Sequence, residues 1–240
     1  MKRRFTGLTD TGVIRSVNQD AFYLDPDGRF FVVADGMGGH AGGQEASRIA
    51  AETIQTYLDD NWQTDLTSSE LLERAILEAN QEIIDDQDTH PERADMGTTV
   101  VVLLFRNQEP WCGHIGDSRL YRLRESELKQ ITDDQTWVAR AMKMGDLTPD
   151  EARVHPWRHV LSQCLGRRDL QRVELQALEV LPGDRFLLCS DGLTEEVSDL
   201  EIHEFLTTVS DDDALVRKLI DTAKENGGSD NVTVVIVNQG

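Results

Sequence analysis

The stretch RFFVVADGMGGHAGG, residues 29–43, passes from a continuous apolar segment through one aspartate, Asp35, into a run of glycines. A short apolar segment rich in β-branched and aromatic residues predicts a buried strand. Asp35 then lies at the end of that strand, where a carboxylate is costly unless it is paired or bound to a metal ion. The glycines allow two interpretations, which are a loop that cradles phosphate and a metal site with Asp35 as a ligand.

The order of strand-like and helix-like segments indicates the fold class. Four further apolar segments predict strands: 98–105, 110–124 (two strands around a turn), 184–192 and 230–239. Residues 44–60 and 67–84 carry apolar side chains at helical spacing. Capping boxes predict helix starts at three positions: Thr67, Thr148 and Ser198. Because strands and helices do not alternate regularly, the pattern favours an α+β fold of stacked β-sheets covered by helices over a doubly wound parallel sheet.

Domain organisation is predicted to be simple. The chain has no internal repeat, low-complexity tract or Pro/Ser-rich linker, so residues 1–240 are expected to form one domain. The least core-like segment is 143–168, which is rich in Arg, His, Pro and Asp. A long polar insert in a compact domain is often a functional flap, and a plain surface loop is equally compatible with this composition.

The charge balance limits the classes of partner. With 24 basic and 44 acidic side chains, the chain has a net charge of −20. Such a charge disfavours nucleic acid and anionic membrane surfaces as partners. It permits cations and basic protein substrates, although a role in solubility alone would produce the same balance.

The cysteines and the apolar segments predict a cytoplasmic protein. Cys112, Cys164 and Cys189 are odd in number and far apart, as expected for buried thiols in a reducing cytosol. The amino-terminal MKRRFTGLTD has no apolar stretch typical of a secretory signal. The apolar run at 100–105 is too short to cross a bilayer.

Aspartates recur wherever a predicted strand begins, ends or turns. The set comprises Asp20, Asp35, Asp117, Asp191 and Asp230. Each alone is more often a turn-forming residue than a ligand. If the fold gathers them, an oxygen-only set without a Cys/His cluster selects hard cations such as Mg²⁺ or Mn²⁺. Two such ions about 3.5–4 Å apart would suit an in-line displacement at phosphorus.

Two other chemistries are disfavoured by the residues. Gly36 to Ala41 match a dinucleotide-binding pattern, but Asp35 would repel a pyrophosphate there, and the acidic pair Asp59 and Asp60 ends a helix and not a second parallel strand. A cysteine-dependent phosphatase needs an arginine six residues after its nucleophile, and none of the three cysteines has one. The absence of a Cβ at Gly36 would instead let its carbonyl approach a metal.

Seven motifs occur in order between residues 15 and 235: RSVNQD, VADGMGGH, DMGTT, GDSRLY, HVLSQCLG, LLCSDGLTE and GGSDNVTV. Together they closely resemble the bacterial type 2C metal-dependent serine/threonine protein phosphatases, and the overall pattern is most similar to the short cyanobacterial members. The resemblance covers nearly the whole chain. It implies a four-layer αββα sandwich, in which two antiparallel sheets are flanked by helices.

The resemblance also implies a set of metal ligands. Asp35 corresponds to the carboxylate that bridges two core ions, Mg²⁺ or Mn²⁺. Asp191 and Asp230 correspond to the other ligands of the first ion. The Gly36 carbonyl corresponds to a ligand of the second ion, with Asp20 nearby, bound directly or through water.

Further roles follow from the same resemblance. Asp117, with Asp191, corresponds to a third and weaker metal site of bacterial members. Arg15 corresponds to the phosphate-binding arginine, whose guanidinium grips two phosphate oxygens at once; a surface ion pair is the alternative. His159 lies in the segment that matches the family's flap and is a candidate substrate contact, with an ordinary loop histidine equally compatible.

The implied reaction is a one-step hydrolysis of phosphoserine or phosphothreonine in proteins by a metal-bridging hydroxide, without a phosphoenzyme. Arg15 would neutralise developing charge. His40 is the candidate general acid, because an imidazole titrates near neutrality. Distant relatives place a histidine directly after the Asp-Gly pair, where this chain has Met37, so a metal-bound water is the alternative acid.

Phosphorylated proteins are therefore the expected partners, and a P-II-type nitrogen-signalling protein is one candidate. A monomer is the default expectation. An inactive, metal-binding regulator of the same fold is a second interpretation, which the presence of Arg15 and the core carboxylates argues against. Gln135 stands where many relatives have histidine, so the hydrogen bonds at that position are left open.

Overall fold

Two antiparallel sheets form the centre of the molecule. The computed structural model describes residues 3–39, 42–170 and 172–240. Within them, the first sheet contains five strands in spatial order: β1 (Arg4–Asp10), β11 (Val232–Asn238), β10 (Arg185–Cys189), β7 (Arg119–Arg124) and β8 (Glu127–Gln130). The second contains six: β2 (Asp20–Leu24), β3 (Phe30–Met37), β5 (Val100–Arg106), β6 (Glu109–Ile115), β9 (Glu174–Ala177) and the short β4 (Gly97–Thr98), which pairs with the end of β3.

Seven α-helices lie in the same described residues. They are α1 (Gly42–Asn61), α2 (Ser68–Thr89), α3 (Trp137–Met144), α4 (Pro149–Arg153), α5 (Asp191–Thr194), α6 (Asp199–Thr208) and α7 (Asp212–Asn226). The capping boxes predicted at Thr67, Thr148 and Ser198 are confirmed, each with both reciprocal hydrogen bonds. None of these helices is long and apolar enough to cross a membrane.

Three apolar layers hold the sheets and helices together. The central layer, between the two sheets, includes Phe31, Val33, Phe186 and Val235. One outer layer packs α1 and α2 against the second sheet, and the other packs α6 and α7 against the first. The predicted α+β fold and its four-layer αββα order are therefore confirmed. Both faces of the central strands are buried, which explains why their sequences are continuously apolar and do not alternate.

The strand ends bring the aspartate motifs to one edge of the sandwich. Asp20 begins β2 and lies directly opposite Asp35 of β3 in the antiparallel register. Asp117 lies in the turn between β6 and β7, and Asp230 comes two residues before β11. The segment predicted as a strand over 184–192 is a strand only as far as Cys189. Asp191 instead begins the short helix α5.

A buried arginine fixes the connection between α1 and α2. Arg106, at the end of β5, is 5% exposed. Its guanidinium donates to the carbonyl oxygens of Trp62 (3.0 Å), Thr64 (2.7 Å) and Leu66 (2.5 Å), all in that connection. One side chain thus satisfies three main-chain acceptors in the connection between α1 and α2, and it ties the helical layer to the second sheet.

We expect Arg106→Met to lower the free energy of unfolding by about 2–4 kcal/mol. Three carbonyl oxygens lose a charged donor, and those that water does not reach remain without a hydrogen bond. The measurement is urea unfolding at neutral pH. The matched control is Arg217→Met, which removes an exposed arginine from α7 and should change stability by less than about 0.5 kcal/mol. Equal effects of the two substitutions would contradict this role of Arg106.

Candidate active site

A cavity of 440 Å³ opens at the edge of the sandwich where the aspartates meet. Seven of the predicted site residues line it: Arg15, Asp35, Gly36, Asp117, His159, Asp191 and Asp230. Asp20 lies beside this cavity, through its pairing with Asp35. His40, the predicted proton donor, lies outside the described residues. The fold therefore gathers the motifs that are far apart in sequence.

The main chain of Asp35 is held by the threonines of the DMGTT motif. Its N–H donates to the Thr99 hydroxyl (3.0 Å). Its carbonyl oxygen accepts from the Thr99 N–H (2.8 Å) and from the Thr98 hydroxyl (2.8 Å). Thr99 also shares a hydrogen bond of 2.7 Å with Ser118, next to Asp117. These contacts fix the position from which the Asp35 carboxylate enters the cavity.

Asp20 has one satisfied and one unsatisfied carboxylate oxygen. Its Oδ2 accepts from the hydroxyls of Ser190, directly after β10 (2.7 Å), and of Thr233 in β11 (2.6 Å). Its Oδ1 is buried without a hydrogen-bond partner. Burial, together with the charges of Asp191 and Asp230, raises the pKa of Asp20 to about 7 against the effect of the two hydroxyls.

The pKa values of three other carboxyl groups are raised by the same causes, burial and neighbouring negative charge. Burial raises the pKa of Asp35 well above its ordinary value, and the charges of Asp20, Asp191 and Asp117 add to this. Burial and the charge of Asp191 likewise raise the pKa of Asp117. The pKa of Asp191 is also raised, mainly by burial, and its Oδ1 is a second buried oxygen without a partner.

These observations fit a cation site. Four carboxylates converge, each one's pKa is raised, and two buried oxygens have no donor. Buried charges of one sign require a compensating partner. Because the donors are all oxygen atoms, the ions that fit are hard divalent cations such as Mg²⁺ and Mn²⁺. The residues present therefore fit a divalent cation, and the assignment of ligands to individual ions stays a prediction.

Gly36 is required by packing, which the sequence did not reveal. A Cβ at this position would lie 1.9 Å from the carbonyl oxygen of Gly43 and 2.6 Å from that of Gln19. The first turn of α1 and the segment before β2 thus press against the end of β3. Any side chain at Gly36 would displace the backbone that presents Asp35, so glycine is needed here whether or not its carbonyl binds a metal.

The turn that carries Asp117 is supported by Gln135. Gly116 adopts a positive φ of 99°, and a Cβ there would lie 2.7 Å from the Thr99 Cβ. The Gly116 N–H donates to the Gln135 side-chain oxygen (3.0 Å), and the Gln135 N–H donates to the Gly116 carbonyl (3.0 Å). Gln135 therefore supplies the acceptor at the position where many relatives have histidine.

Arg15 lies on the rim and is half exposed. Its Nη2 is 2.7 Å from Oδ2 of Asp230, with side-chain exposures of 52% and 29%. The other Asp230 oxygen accepts from the Asn231 N–H (2.8 Å). The guanidinium is thus directed at the edge of the carboxylate cluster, and its remaining N–H groups are free of that contact.

Sequence reasoning missed Glu195, which pairs with His159. The distance from His159 Nδ1 to Glu195 Oε1 is 2.5 Å. Burial and the charges of Asp191 and Asp230 raise the pKa of Glu195 to about 8. Ligand-type atoms of His159, Asp191 and Glu195 lie within 4.8 Å of one another. The available signal was the spacing of Glu195 four residues after Asp191, one turn along a helix. Arg158, which also lines the cavity, was missed as well.

Comparisons with known proteins agree with this geometry. A family model described as protein phosphatase 2C matches residues 14–230. The serine/threonine protein phosphatase PstP of Mycobacterium tuberculosis is 38% identical over 233 residues, which cover 97% of this chain and 44% of that protein. The chain thus spans less than half the length of this curated relative.

Solved structures show the same similarity over nearly the full chain. The crystal structure of the M. tuberculosis phosphatase PstP/Ppp has a TM-score of 0.91 and 38% identity, covering 99% of this chain and 98% of the other. A structure of a PstP catalytic domain in complex with two manganese ions has a TM-score of 0.85 and 35% identity, covering 98% and 97%. The chain belongs to the protein phosphatase 2C family.

Proposed function

We propose that residues 1–240 form a single phosphatase domain that hydrolyses phosphoserine and phosphothreonine in proteins, with divalent metal ions and without a covalent phosphoenzyme. The observation that carries this proposal is the convergence of Asp35, Asp117 and Asp191 in one cavity with Asp20 beside it, together with their raised pKa values and two unpaired buried oxygens. The similarity of this chain to a phosphatase catalytic domain in complex with two manganese ions supports the same conclusion.

The predicted ligands would be divided among the ions. Asp35 would contribute to both core ions, together with Asp191 and Asp230 for the first and with the Gly36 carbonyl and Asp20, directly or through water, for the second. A weaker third ion would be held by Asp117 with Asp191. Either Mg²⁺ or Mn²⁺ suits these oxygen donors. When bound, the ions supply the acidity that makes water a nucleophile at neutral pH.

The chain's own side chains orient the phosphate and balance its charge. Arg15 has five N–H donors, of which Nη2 engages Asp230, so other donors are available to phosphate oxygens. Arg158 and His159, which belong to the predicted flap, 143–168, line the same cavity as Arg15. The phosphate is thus held between a rim arginine and the flap, and His159 is the proposed contact to substrate.

The substrates we propose are cytoplasmic phosphoproteins, with a P-II-type signalling protein as one candidate, and the enzyme is proposed to act as a monomer. The candidate follows from the resemblance to short cyanobacterial members. Incubating the phosphorylated P-II protein with the enzyme and Mn²⁺, and following loss of its phosphate, tests this choice independently of activity on small phosphates.

Asp35→Asn is expected to reduce Mn²⁺-dependent hydrolysis of an aryl phosphate and of a phosphopeptide by about a hundredfold or more, the scale of losing a group that organises charge in the transition state. Steady-state rates with Mn²⁺ and with EDTA measure the effect. The matched control, Asp65→Asn, changes an exposed aspartate after α1 and should leave the rate unchanged. Metal-independent turnover, or full activity of Asp35→Asn, would contradict the proposal.

The raised carboxyl pKa values predict a pH-dependent stability. The folded state binds a proton at Asp20 up to about pH 7, whereas the ordinary value is 3.8. The folded state therefore holds more protons than the unfolded state in that window, and this group's contribution to stability is lost as pH rises from about 4 to 7. The melting temperature of the EDTA-treated protein should fall across that range.

Metal ions should compete with these protons, since they bind the ionised carboxylates. Mn²⁺ is therefore expected to raise the melting temperature more at pH 7.5 than at pH 5. Asp20→Asn removes one titrating group and should weaken the pH dependence of the metal-free protein. A metal-induced shift that is the same at both pH values would argue against ion binding at the carboxylate cluster.

The proton donor can be identified by comparing leaving groups. A nitrophenolate leaves without protonation, whereas a serine alkoxide needs a proton, so loss of the general acid should slow phosphopeptide hydrolysis selectively. His40→Ala is expected to lower kcat for a phosphoserine peptide by about a hundredfold while sparing p-nitrophenyl phosphate. His159→Ala is the comparison, with an expected rise in KM. Equal losses on both substrates would remove His40 from this role.

A further inference from the structure

A separate polar cavity of 320 Å³ opens beside α3. We refer to it as the α3 pocket, and its walls come from residues 134–136, from α3 and from the segment 162–170. Among the described residues, it shares no lining residue with the catalytic cavity of 440 Å³. Leu161 lines the catalytic cavity, however, and the next residue, Ser162, lines the α3 pocket, so the two cavities adjoin along this part of the flap.

Two side chains of α3 give the pocket a positive charge. Arg140 is exposed, and its guanidinium forms no ion pair or hydrogen bond with the part of the chain that the structure describes. Lys143 lies three residues later, near Arg140 on the helix surface, and pairs with Asp133 (2.8 Å), which is 77% exposed and does not line the pocket. An exposed ion pair of this kind is weak. Two cationic groups are therefore available at this cavity, in a chain whose net charge is −20.

The two carboxylates in the lining are already neutralised by arginines. Asp134 accepts from Nε (2.9 Å) and Nη2 (2.7 Å) of Arg119. Asp169 accepts from Nε and Nη2 of Arg167, both at 2.9 Å. Such a two-point contact is stronger and more specific than a single hydrogen bond. The charge that remains uncompensated in the lining is therefore positive, which disfavours a metal cation as the occupant.

Uncharged groups in the lining lack hydrogen-bond partners. The Gln135 side-chain oxygen accepts from the Gly116 N–H (3.0 Å), which orients the amide, and its Nε2 is buried without a partner. Oε1 of Gln163 is also buried without a partner, and since an amide can present either its oxygen or its NH₂ group at one place, Gln163 can donate there. Thr136 is 5% exposed, and its hydroxyl accepts from the Ala139 N–H (3.1 Å) but donates to no acceptor within the described ranges. Buried donors of this kind carry a desolvation cost until an acceptor reaches them.

We propose that the α3 pocket binds an oxoanion, which is a phosphoryl or a carboxylate group. Such a group only accepts hydrogen bonds, and it carries the negative charge that Arg140 and Lys143 complement. Gln135 and Thr136 would donate to the same oxygen atoms. An uncharged ligand would use the amide and hydroxyl donors but would leave the two cationic groups without a counter-charge.

The oxoanion can come from two sources that share this chemistry. One is a free phosphate-like ion or small acidic molecule. The other is an acidic or phosphorylated side chain of a bound protein substrate, whose reacting phosphate lies in the adjoining catalytic cavity. The first source is independent of the proposed phosphatase function, whereas the second rests on it.

Binding can be measured by NMR on the Mg²⁺-loaded protein, by following the side-chain amide signals of individual glutamines as sodium phosphate or, in a second series, sodium sulfate is added. We expect the Gln135 and Gln163 signals to shift and to saturate, with half-saturation below about 10 mM at low ionic strength, because charge-assisted hydrogen bonds hold the anion. Gln19, which lines the catalytic cavity, reports separately on anion binding there.

Arg140→Gln should weaken this binding by about tenfold, the scale of one hydrogen bond to a charged group, and should leave the response of Gln19 unchanged. The matched control is Arg153→Gln, which removes an exposed arginine at the end of α4 that lines neither cavity. It should leave binding within about twofold, as for a surface substitution away from the site. Because both arginines are exposed, unchanged melting temperatures should show that both variants are folded.

The source of the oxoanion can be identified with phosphothreonine peptides that carry a single Glu or Gln at successive positions on either side of the phosphorylated residue. If the substrate supplies the group, the wild type should favour Glu over Gln at one position by about tenfold in kcat/KM, and Arg140→Gln should abolish this preference. Hydrolysis of p-nitrophenyl phosphate, which has no such group, should stay within about twofold in the variant.

Saturable shifts of Gln135 and Gln163 without a peptide preference would assign the pocket to a free oxoanion, and a preference that Arg140→Gln removes would assign it to the substrate. Shifts that do not saturate with either anion, together with no preference for Glu, would overturn the proposal. So would equal losses of binding in Arg140→Gln and Arg153→Gln, which would show unspecific attraction. A wild type without metal-dependent turnover would contradict the phosphatase function, and the NMR titration would then decide on the oxoanion site by itself.

Discussion

Mutual repulsion among the carboxylates at one edge of the sandwich is the constraint on which the rest of the structure depends. Asp20 and Asp35 face each other across adjacent strands of one sheet, and Asp20 also accepts hydrogen bonds from Thr233 of the other sheet and from Ser190, directly after its strand β10. The two sheets therefore hold the cluster from both sides and prevent it from relaxing apart. Burying like charges is unfavourable by several kcal/mol per ion, and the three apolar layers behind the edge offset that cost.

The parts of this arrangement that are local in sequence could be predicted. A continuous apolar run that stops at Asp35 predicts a buried strand with a carboxylate at its end. The capping boxes at Thr67, Thr148 and Ser198 predict helix starts, because each pairs the N-cap with a glutamate three residues later. The gathering of the aspartates was inferred from the ordered motifs, because spacing alone does not specify which strand ends are neighbours.

The parts that depend on distant residues could not be predicted. The hydroxyl partners of Asp20 lie 170 and 213 residues away in the chain. Gly36 is explained by the carbonyl oxygens of Gly43 and Gln19, which the packing of α1 and the pairing of β2 with β3 bring near it. Glu195 was overlooked because its partner, His159, comes from the flap; the spacing of Glu195 four residues after Asp191 was a signal for its place near the cluster but not for this pairing.

The charge of the cavity also bears on the order in which metal ions and substrate would bind in the proposed reaction. The cavity is lined by two arginines, Arg15 and Arg158, and by five acidic residues: Asp35, Asp117, Asp191, Asp230 and Glu195. Where these carboxylates are ionised, they would repel a phosphate dianion, and the two arginines would compensate that charge only in part. In the proposed reaction, cations that neutralise the carboxylates would therefore bind before the substrate. The acidity that makes the site attract divalent ions would then also weaken phosphate binding by the metal-free protein.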